Sequence, residues 1–215
     1  MRVDLIDTTS DYIPLALFYL KSYAETDPLL QKKTSINIIN PKNISNIEDS
    51  VDEILMYNPN IIGFSCYIWN MKNTVDICNC LKRKNPQVKI IVGGPDVSSV
   101  PRKTLEKYSS IDVIVCGEGE ETFRELIHYW EDIGELKINT NMNSIDGLAF
   151  RDKGEIIITN KRPFIDQLDI IPSPYLNGCV DLNKESRTIL FETYRGCPFK
   201  CSFCYYPKDY GTLLD

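Results

Sequence analysis

The sequence predicts an α/β fold with a doubly wound sheet of five parallel strands. Between Arg2 and Ile133, short apolar runs alternate with amphipathic stretches. Each run is rich in β-branched residues and apolar on both faces, which is typical of buried parallel strands. Each amphipathic stretch is long enough for a helix, and this alternation favours an open parallel sheet with right-handed crossovers.

The elements follow one another in a regular order. The predicted strands are Val3–Ile6, Ile36–Ile39, Ile61–Tyr67, Val88–Val92 and Val113–Cys116. The predicted helices are Pro14–Ala24, Ile47–Tyr57, Met71–Lys84, Pro101–Tyr108 and Glu121–Ile133. The first helix begins at Pro14, and proline is favoured in a first helical turn. The last has Phe123, Leu126 and Trp130 at helical spacing, which gives it one apolar face.

The pattern changes after Asn139. The segment DGLAFRDKGEIIITN predicts a β-hairpin that turns at residues 151–154. A linker with three prolines follows, and proline favours extended backbone there. One more strand is predicted over Thr188–Thr193. The chain is therefore expected to contain a doubly wound domain at 1–139, a hairpin and linker at 140–187, and a third unit at 188–215.

Composition and charge exclude several classes of protein. The net charge is −6 and basic runs are as short as Lys82–Lys84, so the basic face that a nucleic acid requires is not expected. No apolar run reaches the length of a membrane span, and Asp4 and Asp7 lie where a signal peptide has its apolar core. The expected location is the cytoplasm, with no nucleic-acid or membrane partner. The eight cysteines are then expected to be thiols, metal ligands or core residues, and not disulfides.

Three cysteines lie close together in RGCPFKCSFCYYP. Cys197, Cys201 and Cys204 have the spacing CxxxCxxC, and three thiolates on one loop can hold iron or zinc. Structural zinc requires a fourth ligand. The only histidine, His128, is expected on an exposed helix face, and Cys179 lies eighteen residues before the first cysteine of the cluster. Zinc is thus an alternative without an assigned fourth ligand, whereas an iron–sulfur cluster can leave one iron open.

This cysteine loop resembles the cluster loop of radical SAM enzymes, including an aromatic residue, Phe203, just before the third cysteine. The resemblance implies a [4Fe-4S] cluster held by the three cysteines, with S-adenosylmethionine bound to the open iron. It also implies that Phe203 and Tyr205 flank the adenine side of that cosubstrate. A one-electron donor such as a flavodoxin or ferredoxin would reduce the cluster. The substrate, a small molecule or a peptide, is not identified by the sequence.

The first 133 residues resemble the cobalamin-binding domain that precedes many radical SAM barrels, a Rossmann-like, flavodoxin-like fold. The matching segments are IPLALFYLKSYA, IIGFSCYIWN, IVGGPDVSS and VCGEGEETFREL, and the bridge between the two domains is similar to IDGLAFRDKGEIIITN and QLDIIPSPY. The resemblance implies the N-terminal part of a cobalamin-dependent radical SAM enzyme, with methyl transfer if cobalamin is bound. The other βα units of such a barrel would lie beyond Asp215, so we expect this chain alone to lack turnover and assign it no catalytic residues.

The candidate cofactor-binding residues lie at the carboxyl ends of the predicted strands, where ligands of doubly wound sheets bind. Aromatic side chains and glycine turns suit a large, mostly apolar corrin ring. These residues are Thr8, Thr9, Ser10, Ser65, Tyr67, Trp69, Gly93, Gly94, Asp96, Ser98, Gly117, Glu118 and Gly119. Ser98 and Ser99 beside Gly94 are expected to leave a slot for the nucleotide tail, which Gly94→Val would fill. The first loop carries no histidine, so cobalt is expected to lack a protein imidazole.

Other interpretations remain open from the sequence. The GEGE turn at 117–120 and the glycines at 93 and 94 are equally compatible with tight turns that bind nothing, and Tyr67 and Trp69 are compatible with core packing. The chain would then be a cofactor-free docking module with a vestigial cobalamin slot, or a zinc-clipped interaction domain. The remaining cysteines are expected as core residues at Cys66, Cys78 and Cys116, and as a surface residue at Cys80.

Overall fold

The computed structural model describes residues 1–8, 11–44, 46–183, 187–197, 199 and 201–203. Its centre is a seven-stranded sheet with the strand order β2-β1-β3-β4-β5-β6-β7. The strands are β1 (Arg2–Ile6), β2 (Ser35–Ile39), β3 (Ile61–Ser65), β4 (Lys89–Gly93), β5 (Val113–Val115), β6 (Leu148–Asp152) and β7 (Glu155–Ile158). The first five are parallel, and β6 and β7 pair in the antiparallel sense. The predicted doubly wound parallel sheet is confirmed, with a hairpin added at one edge.

All five predicted helices are present in the described residues, and two shorter ones accompany them. The α-helices are α1 (Leu15–Ala24), α2 (Pro28–Lys33), α3 (Ile47–Leu55), α4 (Met71–Lys84), α5 (Pro95–Ser98), α6 (Pro101–Lys107) and α7 (Gly119–Ile133). Two 3-10 helices cover Thr140–Ser144 and Leu168–Ile170. Helices α2 and α5 are missing from the prediction because 6 and 4 residues are too few to show a periodic apolar face.

The helices form two layers, one on each face of the sheet. Successive strand residues point to opposite faces. Ile91 accordingly packs with residues of α1 and α7, whereas Ile90 and Val92 pack with residues of α3, α4 and α6. In the α1–α7 layer, Trp130 is 1% exposed and its indole N–H donates to the Lys137 carbonyl at 2.9 Å. Within the described residues, no helix has the combined length and apolar character that crossing a bilayer requires.

The predicted hairpin is present and extends the sheet. Its turn residues Lys153 and Gly154 have φ values of 49° and 88°, and two positive φ values in a row are typical of a type I′ hairpin turn. Strand β6 pairs with β5, with Phe150 opposite Val113. Leu148 and Phe150 are fully buried in the α1–α7 layer. The sheet therefore continues across the domain boundary that we expect near residue 139, and that boundary stays a prediction.

The segment after the linker returns to the carboxyl edge of the sheet. Thr188 donates its backbone N–H to the Asp11 carbonyl at 2.9 Å, and its own carbonyl accepts from the Ile13 N–H at 3.0 Å. This single parallel bridge, between Tyr12 and Thr188, is all that the described residues show of the strand predicted over Thr188–Thr193. A strand needs neighbouring strands on which to build a ladder of hydrogen bonds, and among the described residues the backbone of this segment pairs only with the loop after β1.

Arg151 ties the hairpin to the end of α6. Its guanidinium donates to the carbonyl oxygens of Ile111 at 2.6 Å, of Tyr108 at 2.7 Å and of Leu105. Burial lowers the pKa of this guanidinium, although Asp112 opposes the shift. One side chain thus supplies a hydrogen-bond donor to three backbone carbonyls in and after the last turn of α6.

Arg151→Ala is expected to lower the free energy of unfolding by about 2–4 kcal/mol, because three partly buried carbonyls lose a charged donor. Arg102→Ala is the matched control, since Arg102 is exposed and makes one contact of 3.4 Å with the Ile156 carbonyl. We expect the control to change stability by less than about 0.5 kcal/mol. Urea unfolding followed by circular dichroism measures both, and equal losses would contradict the assignment.

Candidate cofactor-binding site

A cavity of about 350 Å³ lies at the carboxyl edge of the sheet, between the sheet and helices α1 and α7. It extends beyond the ends of β1, β3, β4 and β5, the edge at which the sequence predicts ligand binding. Its walls are mainly apolar and include Leu5, Leu17, Leu20, Ile91, Val115 and Phe123. The volume falls in the range of about 300–1,000 Å³ that is usual for small-molecule and cofactor sites.

The floor of this cavity exists because two neighbouring strands carry almost no side chains there. Gly63 and Ser65 of β3 lie beside Gly93 of β4, and Ser65 is the register partner of Gly93. At Gly63, a Cβ atom would stand 2.5 Å from Leu5 Cδ2, so Leu5 packs directly on its backbone. A glycine inside an apolar strand indicates close approach of another group or a ligand. That signal is present in the sequence, in IIGFS and KIIVG.

Gly94 shapes the turn at the edge of the cavity. Its φ of 99° is in the region that only glycine adopts readily, and a Cβ atom there would stand 2.6 Å from the Cys66 carbonyl oxygen. The backbone of Gly94 therefore lies against the backbone that follows β3. This corrects the expectation for Gly94→Val, because added bulk would meet the Cys66 backbone before it met a ligand.

A cluster of charges borders the cavity at the start of α7. The Arg195 guanidinium donates to carboxylate oxygens of Glu120 at 2.6 Å, Glu192 at 3.0 Å and Glu118 at 3.3 Å. The other Glu118 oxygen accepts from the Ile165 backbone N–H at 2.6 Å. Burial lowers the pKa of the Arg195 guanidinium, but Glu120 and Glu192 raise it by more, so Arg195 stays charged. The glutamates that the sequence assigned to a turn and a helix start thus bind an arginine 75 residues or more away.

The family model of the B12 binding domain matches residues 1–127, which is more than half of the chain. The chain belongs to the B12-binding domain family. It is 30% identical to the cobalamin-dependent radical SAM methyltransferase TokK of Streptomyces tokunonensis, over 94% of this chain and 29% of TokK. It is 29% identical to the 2-(S-pantetheinyl)-carbapenam-3-carboxylate methyltransferase of Streptantibioticus cattleyicolor, again over 94% and 29% of the two chains. The chain thus spans less than a third of the length of these curated relatives.

Solved structures share the fold of this B12-binding domain. The cobalamin-dependent S-adenosylmethionine radical enzyme OxsB, with aqua-cobalamin and S-adenosylmethionine bound, superposes with a TM-score of 0.72 at 24% identity, over 94% of this chain and 28% of OxsB. The radical S-adenosylmethionine methyltransferase TsrM of Kitasatospora setae, with cobalamin and a [4Fe-4S] cluster bound, gives 0.68 at 17% identity, over 98% and 44%. At these identities the likeness establishes the fold.

The cavity of this B12-binding domain fits a large, mostly apolar cofactor that inserts one part into a slot. Its walls are aliphatic and aromatic, and its floor is backbone at Gly63 and Gly93. At the rim, Gly117 has a φ of 79° and nothing within 4 Å of the place where a Cβ atom would stand. The cavity is on the α1–α7 side of the Gly94 turn, and this is the side on which we expect the slot. Ser98, which the sequence predicts to form it, instead donates its hydroxyl to the Val115 carbonyl at 3.3 Å and does not line the cavity.

The aromatic pair of the β3–α4 loop is divided between the cavity and the surface. Tyr67 lines the cavity, and Trp69 stacks on it with ring centroids 4.6 Å apart and is 67% exposed. Asn70, which the sequence analysis overlooks, holds this loop. Its side chain accepts from the Tyr67 N–H at 2.7 Å and donates to the Ser65 carbonyl at 2.8 Å and the Thr8 hydroxyl at 3.0 Å. An asparagine directly before a predicted helix is a signal that could have identified it.

The other predicted residues are placed as follows. Ser65, Tyr67, Gly93, Gly94, Gly117, Glu118 and Gly119 line the cavity. Thr8 lines a smaller adjoining cavity of about 100 Å³, together with Tyr67 and Asn70. Asp96 lies in the first turn of α5 and lines neither cavity. Thr9 and Ser10 lie outside the described residues. Four contributions to the cavity are missing from the prediction. Those of α1, Glu192 and Arg195 come from elements distant in the chain, whereas Gly63 lies in the predicted strand itself.

The cysteine loop is described only in part. Cys197 is half-buried, Cys201 is exposed and Phe203 is 91% exposed, whereas Cys204 and Tyr205 lie outside the described residues. Within the described ranges, no group of three His, Cys, Asp or Glu side chains is placed to hold a metal ion. The predicted cluster therefore stays a prediction. His128 Nδ1 lies 2.7 Å from Asp27 Oδ2 on the α7–α2 side.

Three cysteines are inaccessible in the core beside α4. Cys66, Cys78 and Cys80 are all 0% exposed. The expectation that Cys80 faces solvent is wrong, because α4 packs against α3 as well as against the sheet and so has two buried sides. Burial raises the pKa of the Cys66 thiol to about 12, and Asp96 adds to the shift. Burial also raises the pKa of the Cys78 thiol well above its ordinary value.

Iodoacetamide at pH 8 is expected to modify Cys201 in the folded chain while Cys66 and Cys78 stay unmodified. A pKa of about 12 leaves about 1 in 10,000 Cys66 thiols ionised at pH 8, and the thiolate is the reactive form. Raising the pH toward 12 increases the ionised fraction of the Cys66 thiol, but its burial still prevents contact with iodoacetamide. Peptide mass spectrometry measures the modification, with the urea-unfolded chain as the control in which all eight cysteines react. Labelling of folded Cys66 as fast as Cys201 would refute this placement.

Proposed function

We propose that this chain is the cobalamin-binding part of a radical SAM enzyme that transfers a methyl group. The observation that carries the proposal is the apolar, backbone-floored cavity at the strand ends of a chain in the B12-binding domain family. The radical SAM assignment is supported by the CxxxCxxC spacing of Cys197, Cys201 and Cys204 and by relatives named as radical SAM methyltransferases. Bound cobalamin would supply a cobalt centre that carries the methyl group.

In this proposal the residues of the chain bind and orient the cofactor. Gly93 and Ser65 let its inserted part approach the sheet backbone, while Leu17 and Phe123 exclude water from either side. Tyr67 borders the mouth on the β3 side, and its ring is fixed by stacking on Trp69. The burial of apolar surface would provide most of the binding free energy, since the walls of the cavity are mainly apolar and its charged groups lie at the start of α7 and on Glu192 and Arg195.

Cobalt is proposed to bind without an imidazole from this chain. His128 is the only histidine in the sequence. It lies five residues after Phe123, the last residue of α7 that lines the cavity, about 7.5 Å further along the helix axis, and its ring pairs with Asp27. We therefore expect a base-off cobalamin with water or no ligand on its lower face.

A titration of the 215-residue chain with hydroxocobalamin, followed by absorbance, tests the proposal. The expected result is saturable binding with one cobalamin per chain and a spectrum without a histidine ligand. A histidine-ligated spectrum would refute the ligation proposal. Absence of binding would refute the proposed function and would favour the cofactor-free docking module.

The cluster proposal assigns the three cysteines to a [4Fe-4S] cluster whose open iron binds S-adenosylmethionine, with Phe203 and Tyr205 beside its adenine. A flavodoxin or ferredoxin would donate the electron, and the substrate would be a small molecule or a peptide. Anaerobic reconstitution with iron and sulfide is expected to give a brown chain with charge-transfer absorbance.

Cys201→Ala is expected to abolish the iron loading, because two thiolates hold a four-iron cluster poorly. Cys179→Ala is the matched control, since the Cys179 thiol contacts the Glu25 carboxylate at 3.8 Å, and we expect it to load iron normally. Metal analysis measures both variants. Equal iron in Cys201→Ala would refute the cluster, and stoichiometric zinc in the purified chain would favour the zinc-clipped domain.

A further inference from the structure

The segment 187–195, called the strap here, crosses the carboxyl edge of the sheet and carries the cysteine loop at its end. At its start, Arg187 pairs with the carboxylate of Asp7, which is 1% exposed at the end of β1. Thr188 adds two backbone hydrogen bonds to the loop that follows. At its end, Arg195 binds the first residues of α7. The strap therefore joins the loop after β1 to the loop after β5, on opposite sides of the cofactor cavity.

The strap also forms part of the cavity wall. Glu192 and Arg195 line the main cavity, and Leu190 lines the smaller one. Arg195 has a side chain that is 14% exposed, and its guanidinium lies 5.6 Å from the centre of the Tyr19 ring. It stands two residues before Cys197. The Arg195 side chain therefore lines the cofactor cavity and binds the start of α7, and its backbone leads directly into the cysteine loop.

The charges around Arg195 make it indispensable to this arrangement. Glu118, Glu120 and Glu192 converge on its guanidinium, and the Glu118 and Glu120 side chains are each 7% exposed. A planar guanidinium can donate to several carboxylates at once, which an ammonium group cannot do in the same geometry. Without Arg195, Glu192 of the strap would face two carboxylates of α7 and would be repelled. Arg195 is thus the group that keeps the strap against α7.

We propose that Arg195 is a positioning residue that holds the strap against the start of α7 at the cobalamin cavity, so that strap closure and cobalamin binding favour each other. The coupling to cobalamin binding rests on the proposed function, whereas the positioning role of Arg195 does not. Strap closure and cobalamin binding are two coupled equilibria, and such coupling is reciprocal. If bound cobalamin increases the equilibrium constant of strap closure by some factor, strap closure increases the affinity for cobalamin by the same factor.

The test uses the 215-residue chain and the variants Arg195→Ala and Arg195→Lys. Hydrogen exchange at the Thr188 amide, which donates to the Asp11 carbonyl at 2.9 Å, reports strap closure, and hydroxocobalamin titration reports binding. Arg162→Ala is the matched control. Arg162 is 11% exposed and pairs with Glu121 and Glu125 of the same helix, yet it does not contact the strap or line the cavity.

Arg195→Ala is expected to accelerate strap exchange about 10-fold or more and to raise the Kd for hydroxocobalamin about 10-fold. Arg195→Lys should restore both in part, and Arg162→Ala should change neither. Unchanged strap exchange in Arg195→Ala, or equal acceleration in Arg162→Ala, would overturn the positioning role. A released strap with an unchanged Kd would overturn the coupling. If the wild-type chain binds no cobalamin, the proposed function fails, while strap exchange still decides whether Arg195 holds the strap.

Discussion

Gly93→Val is expected to weaken cobalamin binding at least about 100-fold, a loss of roughly 2.8 kcal/mol, while the chain stays folded. Gly93 forms the floor of the cavity, so any side chain there occupies the slot. A Cβ atom at this position would stand 3.4 Å from the Val115 carbonyl oxygen and 3.8 Å from Val115 Cβ, which the fold accommodates. Valine is also well suited to a β-strand.

The measurement is a hydroxocobalamin titration of a graded series, in which Gly93→Ala should lose less affinity than Gly93→Val. Ser98→Thr is the matched control. It adds a methyl group on the other side of the Gly94 turn and keeps the hydroxyl that donates to the Val115 carbonyl. We expect it to bind as the wild type does. Tight binding of cobalamin by Gly93→Val would show that the cavity is not the binding site. Loss of binding by Ser98→Thr would support the sequence-based prediction that the slot lies at Ser98.

Gly94→Ala is expected to lower the free energy of unfolding by about 3 kcal/mol or more. The residue has φ 99° and ψ 170°, a conformation almost confined to glycine. The new Cβ atom would also stand 2.6 Å from the oxygen and 3.0 Å from the nitrogen of Cys66, and neither backbone atom can rotate away. Strain and overlap therefore act together at one site.

Gly134→Ala separates these two effects. Gly134 ends α7 with φ 71° and ψ 13°, and nothing lies within 4 Å of the position of its Cβ atom. Only the left-handed conformation is penalised there, so the expected loss is about 1–2 kcal/mol. Urea unfolding of both variants, followed by circular dichroism, gives the comparison. Losses of the same size would show that the close approach between Gly94 and Cys66 is not a feature of the folded chain.

Periodic elements were predictable from the sequence because their signals are local. The apolar runs gave all five parallel strands, and Met71–Lys84 has the same bounds in the prediction and in the structure. The pair Lys153-Gly154 marked the hairpin turn for the same reason. The pairing of that hairpin with β5 was not predictable, since an apolar hairpin carries no local record of its partner strand.

The edge of the sheet at which the cavity lies was predicted, but the face was not. The strand ends indicated this edge, because parallel strands place their carboxyl ends together. The side on which the cavity lies depends on the alternation that puts Gly63, Ser65 and Gly93 on one face, and this could have been counted from IIGFS and KIIVG. The contacts of Arg195 with Glu118 and Glu120 could not, since they join residues that only the tertiary fold brings together.

The backbone floor at Gly63 and Gly93 also determines how the empty cavity behaves. Glycine has no rotamers, so no side chain of these two positions can swing in to fill the space when no ligand is present. These two positions are thus pre-organised, and they add no side-chain ordering to the free-energy cost of binding a ligand. Binding of an apolar group to such a preformed space is often driven by enthalpy and is accompanied by a negative heat-capacity change. If cobalamin binds in this cavity, we expect the two strand glycines to contribute to this thermodynamic signature.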